Sequence, residues 1–225
     1  MEKKYLNIPL PMLRGLHINS KEFYDNCFDV GIYLHSKTLE GSEEKRYKDS
    51  CDFFKIIQTR RETHIDKAKS ILIKLPPPYP VFGFELDILW DFYKNQKEEH
   101  EKFILAAFLG IKSILGAKAY CKTNKAHVYA RMLGYDSINE LPIELTDEQR
   151  KYQLRWHMDK LLLQLQLSWH LKVISNRQRG MYISFDLDLE KLAVISEKNK
   201  LKNKLSAFQE LKAKAIERAK NITAH

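Results

Sequence analysis

With 225 residues, 44% of them hydrophobic and 30% charged, the chain can bury a sizeable core and is neither low-complexity nor disordered by composition. No apolar run approaches the roughly 20 residues of a membrane span, and Cys27, Cys51 and Cys121 are too scattered for a disulfide framework or a zinc motif. Pro9 and Pro11 interrupt the apolar stretch behind Lys3 and Lys4, so no secretory signal is read there, and a reduced, cytoplasmic protein without a membrane partner is expected.

The net charge of +9 is unevenly placed. Residues 1–100 carry 16 basic and 16 acidic side chains, whereas residues 101–225 carry 22 and 13, so the whole excess lies in the second part. Such segregation suits a surface for a polyanion. The plainer alternative is a solvated basic tail, since residues 197–225 alone hold 8 basic and 3 acidic groups.

Along the chain, residues 1–80 read as a helical N-terminal region. Residues 1–19 look irregular, punctuated by Pro9, Pro11 and Gly15. Ser20 is placed to cap a helix through about Ser36, with Phe23, Cys27, Phe28, Gly31 and Leu34 near one face. A second helix is predicted from Ser42, turning Tyr47, Cys51 and Phe54 inward, and a third over about 61–74, with Ile65, Ala68, Ile71 and Leu72 on one side. The stretch LPPPYPVFG (75–83) cannot be helix interior, because its prolines lack donors and fix φ, so it reads as a linker. Residues 81–101 are then a connecting helix, with Leu86, Leu89, Trp90 and Tyr93 on one face.

The segment 102–190 holds more. A helix over Lys102–Leu115 has core spacing and ends at Gly116. A second is predicted from Thr123, as N-cap, to Met132 or Leu133, with Gly134 as its stop signal. Lys122, Asn124, Lys125 and Arg131 lie along it as candidate phosphate contacts. A third helix starts at the capping box Thr146–Gln149 and buries Leu154, Met158, Leu161, Leu162 and Leu165. Its other face would present Gln149, Tyr152, Gln153, Trp156 and Lys160, with Arg155 at the edge; Gln suits adenine edges and Arg guanine. A hairpin follows, Trp169–Ile174 and Met181–Phe185, with Asn176, Arg177 and Arg179 at a basic tip. Residues 191–225 form a basic C-terminal helix whose stripe of Leu201, Leu205, Phe208, Leu211, Ala215 and Ile222 needs a cover, such as a second copy or the N-terminal region.

Three helices followed by a hairpin with arginines at its tip resemble the winged helix-turn-helix superfamily over residues 102–187, under half of the chain. The fold class expected is therefore mainly α with a small β-hairpin: a winged helix-turn-helix, a helical N-terminal region and a long C-terminal helix. The ten-residue link 136–145 is longer than a compact helix-turn-helix uses. What the resemblance implies is binding of double-stranded DNA through Lys122, Asn124, Lys125, Arg131, Gln149, Tyr152, Gln153, Arg155, Lys160, Asn176, Arg177 and Arg179. It is similar in layout to proteins of plasmids, phages and other mobile elements that regulate transcription or replication initiation, and a homodimer through the C-terminal helix would suit it.

No Walker A loop, GxGxxG, HExxH or CxxC occurs, and the eight histidines show no ligand spacing. Asp186, Asp188 and Glu190 alternate as Mg²⁺ ligands on a strand would, or else end the strand and cap the next helix. The chain reads as a non-enzyme without cofactor or metal. The alternatives are a helical protein-interaction scaffold with a basic docking helix, or an RNA-binding protein using exposed aromatics.

Overall fold

The computed structural model describes residues 3–75, 78–176 and 180–223. They are mainly α-helical with two small antiparallel sheets, and no helix among them is long and apolar enough to cross a membrane. The N-terminal part comprises β1 (Tyr5–Pro9), a 3₁₀ stretch (Leu10–His17), α1 (Ser20–Ser36), α2 (Glu43–Phe54), α3 (Arg61–Ile73), β2 (Val81–Glu85) and α4 (Leu86–Lys94). The second part runs α5 (Glu99–Leu115), β3 (Cys121–Thr123), α6 (Lys125–Met132), a 3₁₀ turn (Ile138–Glu140), α7 (Asp147–Lys151), α8 (Arg155–Ser168), β4 (Lys172–Asn176), β5 (Gly180–Ser184) and α9 (Leu189–Thr223).

The segments read as irregular and as linker turn out to pair with each other. Tyr5 lies opposite Glu85 and Pro9 opposite Val81. Leu6, Ile8, Phe82 and Phe84 alternate inward, the period of two that a half-buried strand requires. Pro80 serves the pair rather than breaking it, its carbonyl accepting the Leu10 N–H at 2.8 Å. Residues 81–101 are therefore a strand, a short helix and the first turn of α5, not one connecting helix.

α1, α2 and α3 lie where periodicity puts them. Asn19, one residue ahead of Ser20, caps α1 by accepting the Glu22 N–H, and Ser42 caps α2. Periodicity does not signal Asp29. Its carboxylate is buried in α1 and receives His64 Nδ1 at 2.7 Å and Lys67 Nζ at 3.0 Å from α3, with Gln58 Nε2 at 3.3 Å. A buried carboxylate needs such partners, and they fix α3 onto α1.

α5 is the hub. Phe103, Leu105, Ala106, Ala107, Phe108, Leu109 and Ile111 are all buried, on every side of the helix. It packs on α6, α8, β2, β3 and the N-terminal 3₁₀ stretch, so one hydrophobic core runs from Leu6 to Ile183. α6 ends as Gly134 suggests: at φ +81° it lets Tyr135 N–H reach the Ala130 carbonyl and its own N–H reach that of Arg131. Arg14 clasps this turn, its Nε donating to the Gly134 carbonyl at 3.1 Å and its guanidinium 4.0 Å from the Tyr135 ring centroid.

Three further differences bear on the site. β3 is a strand where a helix start was expected, and it pairs with β5 to give the order β3–β5–β4. The hairpin strands reach Asn176 and Gly180, nearer the tip than predicted; Arg177 and Arg179 lie outside the described residues. The helix begun at Thr146 also stops at Lys151 and restarts at Arg155. In one continuous helix Tyr152 would sit about 120–180° away from Met158, Leu161 and Leu165, nearly opposite their stripe. The break lets its ring turn in against Phe103, 4.6 Å between centroids, and turns Leu154 out instead.

α9 is one helix of 35 residues, about 52 Å long. Asp188 caps it, accepting the Lys191 N–H at 2.8 Å. Leu192 and Ser196 are buried at its start, while Val194, Leu201, Leu205, Phe208 and Leu211 face solvent.

A Cβ built on Gly110 of α5 would come within 2.8 Å of the Met132 N and 2.9 Å of the Arg131 carbonyl carbon. Gly110→Ala should therefore destabilise the fold by about 1–3 kcal/mol, although alanine is the better helix former. Urea unfolding would show it; an unchanged or raised midpoint would mean that α5 and α6 do not touch backbone to backbone.

Candidate nucleic-acid interface

The expected interface spreads over β3, α6, α7, α8 and the hairpin, and the structure sorts its residues into three groups. The first is exposed. Lys122 projects from the middle of β3, and Gln153, Arg155 and Lys160 face solvent at the start of α8. Arg155 lies 3.8 Å from Asp159, and the Lys160 ammonium sits 5.2 Å from the centroid of the Trp156 ring. Lys125 reaches the same surface and pairs with Asp159.

The second group is occupied by the fold. Asn124, not Thr123, caps α6, its Oδ1 accepting the His127 N–H at 2.8 Å. Gln149 closes the capping box with Thr146 in both directions, at 3.0 and 3.2 Å. Arg131 and Tyr152 are corrections. Arg131 is 9% exposed and paired with Asp136, so it holds the α6 end together and does not face phosphate. Tyr152 is 7% exposed, with its hydroxyl 3.2 Å from His100 Nδ1. Leu154, expected inside, is exposed.

The third group lies at the wing. Asn176 pairs with Gly180 at the end of the β4–β5 ladder, and Arg177 and Arg179 are outside the described residues.

The sequence reading missed the outward face of α8 beyond Lys160. Trp156 is 64% exposed, and Leu163 and Leu167 continue the line at i+7 and i+11. The signal was present: a helix with leucines at 161, 162, 163, 165 and 167 has more of them than one buried face can hold.

Beneath this surface His127 links β3 to the end of α6. Its Nε2 accepts from Arg131 Nε at 3.0 Å, and Nδ1 lies 3.3 Å from the Thr123 hydroxyl. Burial, and next the neighbouring Arg131 guanidinium, hold its pKa below the usual histidine value. Burial raises the thiols of Cys51 and Cys121 to about 11 and pushes that of Cys27 well above its ordinary value, so all three stay protonated at neutral pH. Among the described residues, no three His, Cys, Asp or Glu side chains gather as a metal site requires. Asp188 of the alternating carboxylates is engaged as a helix cap.

Comparison with protein-family models, curated proteins and solved structures finds no match for this chain.

Because His127 is neutral in the folded protein and its pKa is depressed there, its contribution to stability is present above about pH 6.5 and is lost as pH falls toward the folded value. His17 and His35, also depressed by burial, act in the same direction. The thermal midpoint should drop between pH 7.5 and 5.5, and His127→Gln should flatten that drop by about 2 °C. An equally steep pH dependence in the variant would remove His127 from the account.

Proposed function

We propose that the chain binds double-stranded DNA as a winged helix-turn-helix, with α8 in the major groove and the β4–β5 hairpin on the backbone. The observation that carries this reading is the element order from α5 to β5. It runs helix, strand, three helices (α6, the short α7 and α8, with a 3₁₀ turn after α6), strand, strand, with β3 hydrogen-bonded beside β5 so that the hairpin is joined to the helices. Support also comes from the basic excess after residue 100 and from Lys122, Arg155 and Lys160 on the exposed side. Trp156, Leu163 and Leu167 would make apolar contacts, for which thymine methyl groups are the partners a major groove offers. Control of transcription or of replication initiation at a mobile element is the role that the winged-helix resemblance attaches to such a module.

Those same three apolar side chains favour a second reading, in which α8 docks a protein. Fluorescence anisotropy decides between them, using random-sequence duplex DNA, duplex RNA and single strands from about 50 to 200 mM salt. The DNA reading expects preference for duplex DNA and a steep fall of affinity with salt. Lys160→Ala should weaken binding and lower the salt slope by about 1 if it meets a phosphate; Arg155→Ala should cost about 1–3 kcal/mol if it reads a base. No duplex binding at the lowest salt overturns the reading in favour of protein docking.

Self-association through α9 completes the proposal. Val194, Leu201 and Phe208 recur every seven residues with Leu205 beside them, on the side turned away from Leu192 and the body, and the exposed Leu211 flanks this stripe. A second copy laid along this stripe would cover it and set two α8 helices for two half-sites. Sedimentation equilibrium should give a dimer for the wild type and a monomer for Leu205→Lys with Phe208→Lys at unchanged helicity. A wild-type monomer at high micromolar concentration removes this part.

A further inference from the structure

A cavity of about 410 Å³ opens at the elbow between α6, the Ile138–Glu140 turn and the start of α8. Its size is that of a small-ligand site. The buried side chains lining it are the rings of Tyr129 and Tyr152 and the thioether of Met158. Tyr129 gives its hydroxyl proton to the Gln149 carbonyl at 3.1 Å, and the Tyr152 hydroxyl is engaged with His100. The buried part of the lining thus offers ring faces and a polarisable sulfur with both tyrosine hydroxyls engaged, and it suits a flat, apolar ligand part.

The exposed side of the cavity is charged. Lys125 and Arg155 both line it and both turn to the single carboxylate of Asp159, Arg155 at 3.8 Å, which leaves one positive charge in excess. α8 begins beside them behind Leu154, a residue that cannot cap, so the partial positive charge of the helix start adds to the two side chains.

We propose that this cavity binds a small aromatic monocarboxylate, its ring against Tyr129, Tyr152 and Met158 and its carboxylate between Lys125 and Arg155. Ring and charge are each matched by one end of the site, and a neutral aromatic would satisfy only one of them. A ligand held there engages Arg155 and covers Gln153, both assigned above to DNA. Its binding therefore opposes duplex binding, a consequence that rests on the DNA reading, whereas occupancy of the cavity does not.

The test uses the full chain and 2-naphthoate, with 2-naphthalenemethanol as the neutral analogue, in calorimetric titrations without DNA. Saturable one-to-one binding of the carboxylate is expected, about tenfold tighter than that of the alcohol. Ala126 lines the cavity from an exposed position on α6, so Ala126→Trp should fill it and abolish binding while the circular dichroism and thermal midpoint show a folded protein. Arg155→Gln, a surface change, should weaken the carboxylate about tenfold and leave the alcohol unchanged. No saturable binding, or binding unaltered in both variants, overturns the site. In the anisotropy assay, saturating naphthoate should weaken duplex binding at least several-fold. Naphthoate binding without that effect overturns the antagonism alone, and absence of any duplex binding overturns the DNA reading while calorimetry still decides the cavity.

Discussion

The fold depends on how closely α6 lies against α5. At Gly110 one helix backbone meets the other with no room for a methyl group between them. Because α5 is apolar all round, its remaining faces must also be covered, and β2, the N-terminal 3₁₀ stretch, α8 and β3 do so. The chain consequently builds two sets of elements around one helix. The Arg14 clasp on the Gly134 turn is a polar counterpart of that apolar join. The N-terminal part thereby steadies the very helix end that leads into the proposed DNA-reading elements.

Helices were legible in the sequence wherever a face was regular and an end was marked. The bounds of α1 and α3 and the caps before α2 and α7 follow from spacing and from Ser, Thr, Gly and Gln at the right positions. Strands were legible only in the hairpin. β1 and β2 are five residues each and bordered by proline, and β3 is three residues, so alternation has too little length to register. Their pairing also depends on partners far along the chain, which local pattern does not reveal.

Which of the candidate residues reach the surface was only partly legible, for a different reason. Residue type indicates which side chains can contact a polyanion, but not which of them the fold consumes. Arg131 and Gln149 have the right chemistry and are used to finish a helix and close a cap. Tyr152 was assigned by extending one helical phase across 146–165, and the break at 152–154 exchanges it with Leu154. Lys122, Gln153, Arg155 and Lys160 remain exposed because nothing nearby needs them for packing. The cavity at the elbow could not be read in advance at all, since it exists only because two separated tyrosines and a methionine leave space between them.

The pairing of β3 with β5 also bears on the entropy of recognition. A hairpin attached only through its own two ends would lose orientational freedom at the moment a partner arrived, and that loss would be subtracted from affinity. Here Thr123 to Cys121, lying against Met181 to Ile183, fix the hairpin's bearing relative to α5 and α6 during folding. The hairpin strands thus keep one bearing relative to β3 and the helices it joins, and in the proposed complex a partner would meet that arrangement instead of having to select it.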